Sequence, residues 1–261
     1  MAFANADGVR IYYELNGAGP ALMLVHGSGG HHMAWWRQVA YLSRWYTIVT
    51  IDLRGFGNSD PVEGGPDSQD FVHDIEAVLD HAKLDRCAIL GQSIGATPAL
   101  RVAIRRPQQI SGVVLAHSMG GINDPELAAL TKANRAEAEK IPIMDRLLTK
   151  EFQEGNPAET FLFKQMGTFN HATMRDLRNL SAAGPTIEEI LAAKVRLFFI
   201  NGERDAVLWT STVRRAQQKI PGSRLVVVPN GPHSLYWERP EMFNLVVHQL
   251  LKEIYPDETA Q

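Results

Sequence analysis

Cys87-Ala88-Ile89-Leu90-Gly91-Gln92-Ser93-Ile94-Gly95 is the stretch on which the reading of this chain turns. An apolar run ends in a Gly-x-Ser-x-Gly pentapeptide, and a helix-like segment from Ile94 to Arg106 follows it. A serine on a sharp strand-to-helix turn presents its hydroxyl at the sheet edge, and glycines on both sides let neighbouring backbone pack close. The following helix aims its first N–H groups at any negative charge that forms beside the serine. Gly and Ser are common residues, so the pentapeptide gains meaning only if the chain also supplies a base, an acid and an oxyanion donor.

Short and mostly apolar runs at 21–25, 47–52, 86–90, 112–116, 195–200 and 224–228 read as strands covered on both faces. Residues 9–15 alternate polar and apolar, as a half-exposed strand near the sheet edge does. Phe71, Val72, Ile75, Val78, Leu79 and Ala82 form a helical stripe, with Asp67 or Ser68 as the expected N-cap. Phe243, Val246, Val247, Leu250 and Leu251 form another near the end. Strand–helix alternation predicts the α/β class, with a doubly wound, mostly parallel β-sheet. The alternation stops between Gly120 and Ile190, where helical segments are expected at 125–140, 143–152, 158–166 and 172–182. Breakers such as Gly120-Gly121, Pro142 and Gly155-Asn156-Pro157 separate them. The expected organisation is a core of residues 1–119 and 191–261, with residues 120–190 inserted as a helical lid over the strand ends.

Composition narrows the function. The 261 residues, 45% of them hydrophobic, suit one large α/β domain with an insertion. A net charge of −3 without a basic run argues against nucleic acid or an anionic membrane as partner. The single Cys87 excludes an internal disulfide and a cysteine-rich zinc site, and its apolar setting suggests a buried structural thiol. No apolar run approaches about 18 residues, and the N-terminus lacks the features of a signal peptide. A cytoplasmic protein acting on a small molecule, as a monomer or homodimer, is expected. The pattern Gly27-x-Gly29-x-x-His32 lacks the third glycine of a dinucleotide site and no Walker A motif occurs, so no nucleotide and no cofactor are expected.

A serine hydroxyl needs a base to take its proton and a carboxylate to orient that base. Of nine histidines, His233 stands in a loop after the last strand-like run and before the final helix, and Asp205 follows the preceding strand through a Gly turn. Both fall at the carboxyl edge of the sheet, as Ser93 does, in the chain order Ser, Asp, His. Two rivals exist. Ser118, in His117-Ser118-Met119-Gly120, is followed by a breaker-rich loop rather than a helix. Asp124 would place the acid one strand earlier, without the tight Gly turn. His26 reads as a structural residue, and Glu203 as solvent-exposed or a loop anchor. The adjacent His31 and His32 have poor geometry for sharing one ion and no evident carboxylate partner, so no metal is expected.

Five motifs stand in register: Val25-His26-Gly27-Ser28-Gly29-Gly30, Asp52-Leu53-Arg54-Gly55-Phe56-Gly57-Asn58-Ser59-Asp60, Gly91 to Gly95, Gly202-x-x-Asp205 and Gly231-Pro232-His233. Over nearly its whole length the chain resembles the α/β-hydrolase superfamily, in particular its serine esterases and meta-cleavage-product hydrolases with a helical lid. The resemblance implies Ser93 as nucleophile, where haloalkane dehalogenases and epoxide hydrolases use Asp. It implies an oxyanion hole made by the N–H groups of Ser28 and Ile94. Gly27, Gly29, Trp35, Gln92 and His117 are the candidates for contact with substrate. The implied reaction is hydrolysis of a small, mostly apolar carboxylic ester, thioester or lactone. Carbon–carbon hydrolysis of a vinylogous diketone, with Arg175 or Arg178 of the lid binding a carboxylate, is the second reading. The loop continues Gly30-His31 rather than Pro-Gly and the elbow reads Gly-Gln-Ser rather than Gly-Asn-Ser, both departures from that branch. Cofactor-free perhydrolase or oxygenase activity and a ligand receptor on the same fold complete the alternatives.

Overall fold

Alternate residues of the central strands point to opposite sides of one sheet, and two separate apolar cores result. The computed structural model describes residues 1–180, 182 and 184–257. Its strands are β1 (Ala2–Ala6), β2 (Val9–Asn16), β3 (Ala21–Val25), β4 (Thr47–Ile51), β5 (Cys87–Gln92), β6 (Ile110–Ala116), β7 (Leu197–Gly202) and β8 (Arg224–Val228). They lie in the order β1-β2-β4-β3-β5-β6-β7-β8, parallel except for the pairs β1–β2 and β2–β4. Met23, Ile89, Leu115 and Phe199 face one core, and Leu22, Leu90, Val114 and Ile200 face the other. Two-sided burial is why these strands read as unbroken apolar runs.

The first core is covered by α2 (Phe71–His81), α3 (Ala96–Arg105) and α9 (Thr210–Lys219), through residues such as Ile75, Leu100 and Val213. The second is covered by α1 (Trp36–Leu42), α10 (Leu235–Glu238) and α11 (Pro240–Ile254), through Leu42, Leu235 and Phe243. Between β6 and β7 the chain forms α4 (Pro125–Ala138), α5 (Ile143–Leu147), α6 (Lys150–Gly155), α7 (Pro157–Met166) and α8 (Ile187–Ala193). Asn134 Oδ1 ties α4 to α9 by accepting from Trp209 N–H at 3.0 Å and Thr212 Oγ1 at 2.9 Å. The segment then crosses the carboxyl edge of the sheet. Leu147 O accepts from Ser234 N–H, Thr149 bonds Glu238, and Asn170 bridges Gly30 O and Gly57 N–H.

Residues 9–15 lie in β2, next to the edge strand β1, in keeping with a strand near the sheet edge. Other local expectations are corrected, and β1 is an addition. The small residues of Ala2-Phe3-Ala4-Asn5-Ala6 carry little strand signal. The N-cap of α2 is Asp70; Asp67 instead accepts from Gln69 N–H and Asn179. The helix expected at 143–152 is two helices, because Leu148 is extended and Thr149 caps α6 by accepting from Phe152 N–H. The helix expected at 172–182 is absent over 172–180, where turns and a bridge between Asp67 and Arg178 occur; residue 181 lies outside the described residues. Among the described residues no helix is long and apolar enough to cross a membrane.

Candidate active site

β5 ends at Gln92, and Ser93 turns the chain into α3 with a φ of 52°. Left-handed backbone at a residue other than Gly carries strain, and the packing around Ser93 sustains it. A Cβ on Gly91 would lie 2.4 Å from Gly95 O, and one on Gly27 would lie 1.9 Å from Gln92 Oε1 and 3.2 Å from Ser93 Cβ. Glycine at these positions lets the β3 loop, the serine and the start of α3 touch. At Ser118 no comparable elbow forms. There the positive φ, 55°, belongs to His117, and the next helix begins only at Pro125.

The loops after β7 and β8 meet because Gly202 lacks a side chain: a Cβ there would lie 2.1 Å from Gly231 O. This contact brings Asp205 and His233 together, both 4% exposed. Nδ1 of His233 is 3.0 Å from each carboxylate oxygen of Asp205. Oδ1 also accepts from the N–H groups of Val207 and Leu208 at 2.9 Å, and Oδ2 from Nδ1 of His117 at 2.9 Å. Burial pushes this carboxyl up, but the charge of His233 and the donors from His117 and His233 outweigh it and hold the group far below the usual carboxylate range. Asp124 is engaged elsewhere. It caps α4 by accepting from Leu127 N–H at 3.0 Å and pairs with Lys219 at 2.9 Å. Glu203 anchors its loop by accepting from Asn230 N–H.

His26 holds the β3 loop against the next one. Its Nδ1–H donates to Gly27 O at 2.8 Å, and Nε2 accepts from Leu53 N–H at 3.1 Å. Burial lowers this imidazole to about 4, in keeping with a neutral bracing residue. His31 and His32 have the carboxylate partner that the sequence did not reveal. Ligand atoms of His31, His32 and Asp52 lie within 4.8 Å of one another. His32 Nδ1 is already bonded to Asp52 at 2.9 Å, and Asp52 also accepts from the N–H groups of His32 and Asn58. These bonds brace the loop; a metal at this position would have to displace them. His117, Asp205 and His233 also converge, and their facing atoms are satisfied by one another.

A cavity of about 170 Å³ opens beside this edge. Ser28, Gly29 and Gly30 form one wall, and Met144, Leu147, Phe163, Met166, Tyr236 and Trp237 supply the apolar remainder, with Lys164 at the side. A larger open depression of about 500 Å³, between Thr149, Arg204 and Arg239, holds none of the candidate residues. Trp35 is corrected from substrate contact to core: it is fully buried and packs on Tyr236 and Phe243 at 4.9 and 6.3 Å between ring centroids. His117 stands behind Asp205, with its side chain fully buried, rather than on the cavity wall. Gln92 packs against Gly27, and Arg175 and Arg178 are exposed, with Arg178 bonded to Gly65 O. Met144, Leu147, Phe163 and Met166 of the segment between β6 and β7 were not legible in the sequence as wall residues, nor were Tyr236 and Trp237. The last two could have been found, since an aromatic pair follows His233 within one helical turn.

The profile of the alpha/beta hydrolase fold family matches residues 20–240, and the chain belongs to that family. Its structure is similar to a thermophilic esterase from Thermogutta terrifontis (TM-score 0.80, 20% identity, 97% of this chain and 98% of the other). It is equally similar to the enol-lactonase of Burkholderia xenovorans LB400 (TM-score 0.80, 23% identity, 96% and 100%). A meta-cleavage product hydrolase from Pseudomonas fluorescens IP01 matches at a TM-score of 0.77, with 22% identity over 97% and 98% of the two chains.

Proposed function

We propose that the protein is a serine hydrolase of small, mostly apolar carboxylic esters, thioesters or lactones. The observation that carries this reading is the buried His233–Asp205 pair at the same sheet edge as the strained Ser93 elbow. With Nδ1 of His233 engaged by Asp205, Nε2 is the nitrogen that takes a proton. His233 removes the hydroxyl proton as Ser93 Oγ attacks the acyl carbon, and the carbonyl oxygen gains the negative charge. The N–H groups of Ser28 and Ile94 receive that oxyanion, a contribution of about 3 kcal/mol for each such donor. His233 returns the proton to the leaving alcohol, thiol or ring oxygen. It then takes a proton from water, which attacks the acyl-enzyme and releases the acid. Asp205 orients the ring and stabilises its protonated form.

The cavity beside Ser28 supports a substrate with a short apolar chain, because its walls are chiefly aliphatic and aromatic. Residues 120–190 act as the lid over the core of 1–119 and 191–261, since α5 and α7 supply much of that wall. One observation favours the carbon–carbon reading: Lys164 stands at the cavity wall, where an ammonium can hold a substrate carboxylate, a role that exposed Arg175 and Arg178 do not fill.

The test is turnover of p-nitrophenyl butyrate by wild type and Ser93→Ala. The variant should stay folded and lose nearly all activity, and fluorophosphonate should label the wild type alone. Full activity in Ser93→Ala would refute the assignment. A panel of esters, lactones and dienoates then separates acyl from carbon–carbon substrates.

A further inference from the structure

Asp205 holds two imidazoles, and the mechanism above uses only one. Oδ2 is 2.9 Å from Nδ1 of His117 and 3.0 Å from Nδ1 of His233, and the two rings meet edge to face at 5.5 Å. The side chains of His117 and Asp205 are fully buried. His117 follows the last residue of β6, and its N–H donates to Ile200 O of β7. Its φ of 55° is a conformation that costs energy for a side chain of this size. The fold tolerates that strain at a residue whose imidazole reaches Asp205.

The protonation state follows from the partners. An ionised carboxylate only accepts, so Nδ1 of His117 carries the hydrogen. Nε2 is buried with no hydrogen-bond partner. A second proton there would be a buried donor with nothing to receive it, so the neutral ring is the stable form. Burial also pushes this imidazole down against the pull of Asp205. Among the described residues the titratable groups facing His117 are Asp205 and His233, and those facing Asp205 are the two histidines.

We infer that His117 is a positioning residue: as a fixed, neutral donor it shares the Asp205 carboxylate with His233, sets the carboxylate plane and weakens its hold on the proton of the base. The inference rests on the Ser93, His233 and Asp205 reading. An acceptor oxygen divided between two donors attracts each less strongly. Without His117 the carboxylate stabilises protonated His233 more, and a larger fraction of the enzyme has its base blocked at a given pH. The acid limb of the pH profile therefore moves to higher pH.

His117→Phe keeps a ring and removes the donor, whereas His117→Asn keeps an N–H near the position of Nδ1. In profiles of kcat/KM against pH for p-nitrophenyl butyrate, the acid limb of H117F should move up by roughly 0.5–1 unit, and H117N should return it toward wild type. A limb that stays in place in H117F, with only a lower Tm, overturns the inference. Because H117F could fail to fold, the imidazoles of the wild type are also examined by ¹⁵N-correlated NMR. His117 should show hydrogen on Nδ1 and a bare Nε2, and should protonate only below the ordinary imidazole range. An Nε2–H tautomer, or protonation at or above the ordinary imidazole range, overturns it irrespective of activity. A wild type that neither turns over esters nor reacts with fluorophosphonate instead refutes the Ser93 reading, and the tautomer still decides the role of His117.

Discussion

The backbone of His26 lies against Gly95: a methyl carbon on Gly95 would sit 2.6 Å from the His26 carbonyl oxygen and 2.7 Å from that of Val25. The turn that carries Ser93 and the loop that carries Ser28 are therefore one packed unit, and the second glycine of the elbow is its contact point. The φ of Gly95 is −68°, so what this position requires is space and not conformational freedom.

Gly95→Ala should consequently destabilise the protein by about 1–3 kcal/mol and lower kcat more than KM, because the added methyl drives the Ser28 loop away from the elbow. Gly155→Ala, with nothing within 4 Å of the added carbon, is the control and should leave both unchanged. Urea melts and ester turnover of the two variants check this; equal effects would reject a packed unit.

The acid can be assigned by contrast. Asp205→Asn should reduce kcat by roughly 10³–10⁴-fold, because the amide no longer enforces the Nδ1–H tautomer of His233. Asp124→Ala removes the cap of α4 and should lower stability by about 1 kcal/mol without loss of turnover. The measurement is kcat for both beside thermal melts. A dead Asp124→Ala that remains folded would reverse the assignment.

The wall of the cavity should set chain length. Leu147 of α5 and Met166 of α7 stand on it, so Met166→Ala should shift the preferred p-nitrophenyl ester toward longer acyl chains. A series from acetate to decanoate measures the shift. An unchanged preference would mean that substrate does not enter this cavity.

Stability should fall in mild acid. His26 has a folded-state pKa depressed to about 4, so it is neutral in the fold while the unfolded chain takes up a proton below about 6.5. The unfolded state then binds more protons between those values, and stability declines as pH falls from about 6.5 to 4, by roughly 3 kcal/mol for this fully buried group. His117, shifted in the same direction by burial, adds to the slope. Urea unfolding at pH 7 and 4.5 measures it. His26→Leu should begin less stable, because Leu53 N–H loses its acceptor, and should show a shallower slope.

Much of the site was legible one segment at a time. The apolar runs before Ser93, Asp205 and His233 all became strands, and parallel pairing puts their carboxyl ends on one edge. Of the glycines that the motifs supplied, Gly91, Gly95 and Gly202 proved to be sites of close backbone contact. Helix boundaries inside the insertion were less legible, since Leu148 breaks a continuous apolar pattern without a Gly or Pro to announce it.

Trp35 and His117 mark where linear reading ends. Trp35 follows the Ser28 loop in sequence and His117 precedes the rejected Ser118, yet one faces the second core and the other a carboxylate 88 residues away. Strand period, glycine spacing and the Ser, Asp, His order depend on neighbouring residues, and so could be read from the chain alone. The partner of His117, the carboxylate beside His31 and His32, and the side chains that wall the cavity follow from how distant segments dock. Only burial, which removes water as the competing partner, selects which of these groups meet.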